Sequence, residues 1–72
     1  MTLAEIPVGK MVTVQKVQVD EELSHRCFAL GLRSGAKVEV VRKAPLGGPI
    51  HVRIGTTDIV IRQNLANLIK VL

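Results

Sequence analysis

A small, mainly β fold, a partly open barrel of about five short strands with one inserted helix, is what this sequence predicts, and three observations lead there. Short segments rich in valine and isoleucine alternate apolar with polar residues, the period of half-buried strands. A single stretch, Asp20–Leu30, switches to helical spacing. Inside the first strand the alternation slips by one residue, the mark of a β-bulge or sharp bend. Strong bends in so short a chain favour a curled sheet over a flat one, and curling also protects strand edges. The 72 residues suffice for one domain, spanning 1–72, near the lower limit for a self-sufficient core.

Taken in order, Ile6-Pro7-Val8-Gly9 reads as a turn into the first strand. There Val12 and Val14 alternate with Thr13 and Gln15; Lys16 intervenes, and Val17 and Val19 resume out of phase. Asp20 is a natural helix N-cap, and Glu21 and Glu22 complement the positive end of the helix. Leu23, Cys27 and Leu30 recur at i, i+4 and i+7, and Gly31 follows as a left-handed C-terminal cap would. After a turn at Arg33-Ser34-Gly35, the strand Lys37–Lys43 should point Val38 and Val40 inward and Glu39 outward, with Val41 breaking the phase. Pro45 and Pro49 then stiffen a hairpin loop in which Gly47 and Gly48 can take positive φ. In the strand Ile50–Ile54, Ile50, Val52 and Ile54 face one way, His51 and Arg53 the other. Gly55-Thr56-Thr57 supplies a tight turn, and Asp58–Arg62 forms a fourth strand with Ile59 and Ile61 on one face. Gln63–Asn67 makes a single helical turn, and Leu68–Leu72 closes the sheet.

Composition narrows the function. Hydrophobic residues are 47% of the chain against a net charge of only +4, so a packed fold is expected rather than disorder. One cysteine, Cys27, excludes an internal disulfide and the cysteine-rich zinc sites. No apolar run approaches the ~20 residues of a membrane helix, and the first residues lack a signal core, so the expected compartment is the cytoplasm. The ten Lys and Arg are scattered, as on a solvated surface, and Phe28 is the sole aromatic residue, which leaves no stacking platform for bases.

Catalysis finds no footing. His25 and His51 are the side chains that titrate near neutrality. His25 and Cys27, two residues apart on a helix, lie about 200° from each other and cannot share an ion. Glu21 and His25 could hold a metal only weakly. No nucleophile–base pair, paired carboxylates or phosphate-binding glycine motif is in place. The chain therefore reads as a binding module and not an enzyme, with no cofactor, catalytic residue or metal site. Arg62, directly after Ile59-Val60-Ile61, either reaches a carbonyl or partner or ends its strand in solvent.

A family resemblance rests on particular residues. Arg26 with Leu30-Gly31-Leu32 and Gly35, Val40-Val41-Arg42 with Ala44-Pro45-Leu46-Gly47 and Pro49-Ile50, Ile61-Arg62, and the Ile69/Val71 ending together resemble FeoA. That family comprises small cytosolic proteins of bacterial ferrous iron uptake. The resemblance implies an SH3-like β-barrel and an accessory role, binding the FeoB transporter and modulating its activity or assembly. The membrane would be met only through that transporter, and no nucleic acid is expected. Two departures stand out. Gly48 stands where the family commonly has Asp, removing a charge and loosening the turn. Cys27 and Phe28 stand where leucine-like residues are usual, and both are expected to serve the core. Proline-rich ligands, which need aromatic grooves, do not suit a chain without Trp or Tyr. The expected partner surface is apolar and basic: Arg26, Leu30, Pro45, Leu46, Pro49 and Arg62. The alternatives are a small basic barrel that binds nucleic acid, and a metal-sensing module using Glu21, His25 or His51.

Overall fold

In the computed structural model, which describes all residues from Met1 to Leu72, the alternating segments become five antiparallel strands. These are β1 (Met11–Val17), β2 (Lys37–Lys43), β3 (Ile50–Ile54), β4 (Thr57–Ile61) and β5 (Ile69–Val71). The helix α1 (Glu21–Ala29) connects β1 to β2, and the single turn α2 (Gln63–Ala66) connects β4 to β5. The sheet order is β4-β3-β2-β1-β5, with no pairing between its two ends, so the curled sheet stays open there. One element was not anticipated: a 3-10 turn at Leu3–Glu5, closed by a capping box in which Glu5 Oε1 accepts the Thr2 N–H at 2.8 Å. That hydrogen bond, with a second from the Thr2 hydroxyl at 3.2 Å, holds the Glu5 carboxyl below its usual range.

The two phase breaks in the sequence are both bulges. Residues 11–13 of β1 pair with β2, whereas Val14, Lys16 and Val17 pair with β5, and the register shifts between Val14 and Lys16. The extra residue is thus Gln15, at the slip, and there the strand changes partners and the sheet folds over. A second shift between Val40 and Arg42 makes Val41 the extra residue of β2, half-buried, so that Val38 and Val40 keep the inward face. The core holds hydrophobic side chains alone; its fully enclosed members include Leu3, Leu32, Val40, Ile50, Val52 and Ile69.

Both ends of α1 follow from its sequence. Asp20 Oδ1 accepts the Leu23 N–H at 2.8 Å. At the other end Gly31 takes φ +92°, Leu32 N–H donates to the Cys27 carbonyl (2.8 Å) and Gly31 N–H to that of Phe28 (3.0 Å). This is a Schellman cap, and its hydrophobic pair, Cys27 and Leu32, is buried. One expectation fails here: Phe28 is 58% exposed rather than in the core. Leu30, the last member of the apolar stripe and expected on the surface, is 48% exposed. The helix is nine residues long and buries one narrow stripe along Cys27, with Leu23 half-covered. Phe28 lies about 100° around from it, and its ring is covered by the Arg33 guanidinium, 5.3 Å from the centroid. The reversal at Gly31 then sends Leu32, not Leu30, into the core.

Candidate partner-binding surface

The loop between β2 and β3 is closed by Ala44 N–H donating to the Pro49 carbonyl at 3.0 Å. Positive φ falls on Leu46 (+58°) and Gly47 (+71°), not on Gly48. A leucine in the left-handed region costs about 1–2 kcal/mol, and here its side chain is fully exposed, with a relative accessibility of 104%. Strain at an apolar, solvent-facing tip gives the fold nothing back. Gly48 has a different task from loosening the turn. A Cβ there would lie 2.7 Å from the Ala44 Cβ and 3.1 Å from the Pro45 carbonyl oxygen, so glycine permits the two sides of the loop to approach. Gly48→Ala is expected to cost about 1–3 kcal/mol, the range for forced overpacking. Denaturant unfolding of the variant checks this.

Where the sheet stays open, α1 and β4 form the walls of a groove of about 590 Å³. Leu23 and Leu30 stand on one side, Val60 on the other, and Leu65 and Leu68 close the end. Arg26 and Arg62 line it too; neither makes an ion pair or a side-chain hydrogen bond, and no carboxylate lines the groove. A second depression, lined by Gly47–Pro49 and running on through Val60–Asn64, joins it to the hairpin loop. Of the six residues expected at a partner surface, Arg26, Leu30 and Arg62 thus meet in one groove and Pro49 borders its extension. Pro45 and Leu46 project from the loop beyond it. Arg62 reaches no carbonyl: it is exposed, and only its backbone caps α2, without a side-chain cap. Val60 and Leu68, both exposed, went unnoticed in the sequence. Val60 carried a signal, being apolar at the outward position between Ile59 and Ile61.

The outer face of the sheet is polar. Arg53 on β3 donates from Nε to Asp58 Oδ1 at 2.6 Å and lies 3.9 Å from Glu39 of β2, a ladder across three neighbouring strands. His51 Nε2 is 3.5 Å from Asp58 Oδ2. The Arg53 hydrogen bond is the main cause that holds the Asp58 carboxyl below its ordinary value of 3.8. A lowered carboxylate stabilises the fold above that ordinary value and loses its contribution as pH falls through the depressed one. The melting temperature is therefore expected to drop below pH 3.8, and Asp58→Asn should flatten that drop; melting curves across the acid range test both.

Metal-ligand chemistry is dispersed. Cys27 is buried, and burial raises its thiol, while His25 is exposed on the same helix. No three His, Cys, Asp or Glu side chains are grouped to hold an ion.

Comparison with known proteins follows the same line. The family model of the FeoA domain matches residues 1–72. The FeoA protein of Chlorobium tepidum is 38% identical, with a TM-score of 0.91 over 99% of this chain and 68% of that one. Iron(II) transport protein A of Clostridium thermocellum is 34% identical, with a TM-score of 0.91 over 99% of this chain; this chain spans only 44% of that one. FeoA of Stenotrophomonas maltophilia, solved in complex with zinc, is 32% identical, with a TM-score of 0.85 over 100% of this chain and 89% of that one. That protein is described as a prokaryotic SH3 domain protein, and the open five-stranded sheet with its inserted helix has the same SH3-like fold.

Proposed function

The chain belongs to the FeoA family, linked to ferrous iron transport, and from that premise we propose that it is a non-enzymatic cytoplasmic accessory protein. In this reading it binds the cytosolic part of a FeoB-type ferrous iron transporter and modulates its activity or assembly. The observation that carries the proposal is the groove between α1 and β4, where Leu30, Val60 and Leu68 stay exposed beside two unpaired arginines. Apolar side chains with guanidinium groups suit docking to another protein rather than bond making. No helix is long and apolar enough to cross a membrane, so the membrane is met through the transporter.

Binding of the transporter's purified cytosolic domain, with and without guanine nucleotide, tests this. A saturable one-to-one complex is expected. Leu46→Gly should weaken it about tenfold, as removal of one exposed apolar anchor does. The same variant should melt no lower than the parent, because glycine relieves the left-handed strain. Absence of any complex in either nucleotide state would overturn the proposal.

A further inference from the structure

The two outer edges of the sheet differ. That of β5 is covered by the N-terminus: Val71 N–H donates to the Met1 carbonyl at 3.0 Å, and Thr2 bridges to Lys70. That of β4 is bare. The two-residue Gly55-Thr56 turn makes Ile54 and Thr57 the hydrogen-bonded pair that closes the β3–β4 hairpin. Alternation along the antiparallel ladder then aims the main-chain groups of Thr57, Ile59 and Ile61 at β3, and those of Asp58 and Val60 outward. These outward N–H and C=O groups find no partner in the chain. Native sheets commonly blunt such an edge with lysine or proline. Here β4 carries neither, and its one charged side chain, Asp58, is engaged by Arg53.

The bare edge also borders the groove, since Val60, Ile61 and Arg62 form one of its walls. A ligand lying there meets unpaired main-chain groups on one side and the apolar face of α1 on the other. A docked helix would leave those groups unanswered; an extended segment answers them. Resting on the reading of the groove as the partner surface, we infer that it takes an extended acidic–apolar segment of the partner protein, which adds to β4 as a sixth strand. The acidic character follows from Arg26 and Arg62, two cations without counter-charge in a groove free of carboxylates. The length follows from β4, whose five residues match a partner stretch of about 17 Å. Main-chain hydrogen bonds would supply affinity, and the groove would select alternate apolar side chains.

The probe is a ten-residue peptide alternating glutamate with valine, titrated into the isotopically labelled protein beside its lysine–valine counterpart. Slowed amide exchange at Asp58 and Val60 is expected with the acidic peptide, and at least tenfold weaker binding with the basic one. Val60→Pro removes an N–H that serves no ladder bond, so the hairpin keeps its pairing, while the acidic peptide should bind at least tenfold less tightly. Should that variant fail to fold, exchange in the parent protein decides. No binding of the acidic peptide, binding without slowed exchange at Asp58 and Val60, or equal binding by a folded Val60→Pro would overturn strand addition. The transporter's cytosolic domain is run in parallel. If it binds parent and Val60→Pro alike, the partner reading stands and strand addition falls. If the peptide adds to β4 but that domain does not bind, strand addition stands and the partner reading falls.

Discussion

Leu32→Ala is expected to remove about half of the stability of this protein. Leu32 is 1% exposed and seals the helix cap against Cys27. Truncating a leucine so enclosed costs about 2–5 kcal/mol, part from lost transfer energy and part from the cavity. A domain of this size holds about 4–11 kcal/mol in all, so one side chain carries a large share. Urea unfolding should show a lower midpoint with an unchanged slope. Phe28→Ala is the informative contrast. The one aromatic residue looks indispensable in sequence, yet it lies outside the core against Arg33, and its loss should cost under about 1 kcal/mol.

The second large effect is on binding. Reversing both groove charges, Arg26→Glu with Arg62→Glu, is expected to weaken association with the transporter's cytosolic domain about 100-fold. That assigns each guanidinium about 1.4 kcal/mol, at the lower edge of what close interfacial charge pairs contribute. The fold should lose at most about 1 kcal/mol, from the anion placed in the last turn of α1, because both side chains are exposed and make no internal ion pair. Each single reversal should give about tenfold, and the parent complex should weaken as salt rises. Calorimetric titration of the three variants at two salt concentrations reads all of this. Unchanged affinity in the double variant would move the interface away from the groove.

The architecture was legible in the sequence because strand and helix periods are local properties. The slip after Gln15 announced a bulge, Val41 announced only a break in phase that the register shows to be a second one, and Asp20 and Gly31 announced the ends of α1. Long-range consequences were not legible. Period alone grouped Leu30 with Leu23 and Cys27, and only the chain reversal at Gly31 shows that Leu32 takes the core position. The role of Gly48 depends on the approach of Ala44 across the loop, a contact absent from any local pattern. The 3-10 turn at Leu3–Glu5 did carry a local signal, the Thr2 and Glu5 capping pair three residues apart; only its anchor, the pairing of Thr2 with Lys70, joins opposite ends of the chain. The candidate surface is legible only in pieces: its cations and loop stand in the sequence, but the groove that unites Arg26 with Arg62 exists only once α1 lies across the open end of the sheet.

The most direct test of partner docking at the groove is a map of amide shifts in the labelled protein as the transporter's cytosolic domain is added. Shifts are expected to gather at Arg26, Leu30, Leu46, Val60, Arg62 and Leu68. Shifts confined to the opposite polar face around Glu39, Arg53 and Asp58, or none at saturating partner, would contradict it.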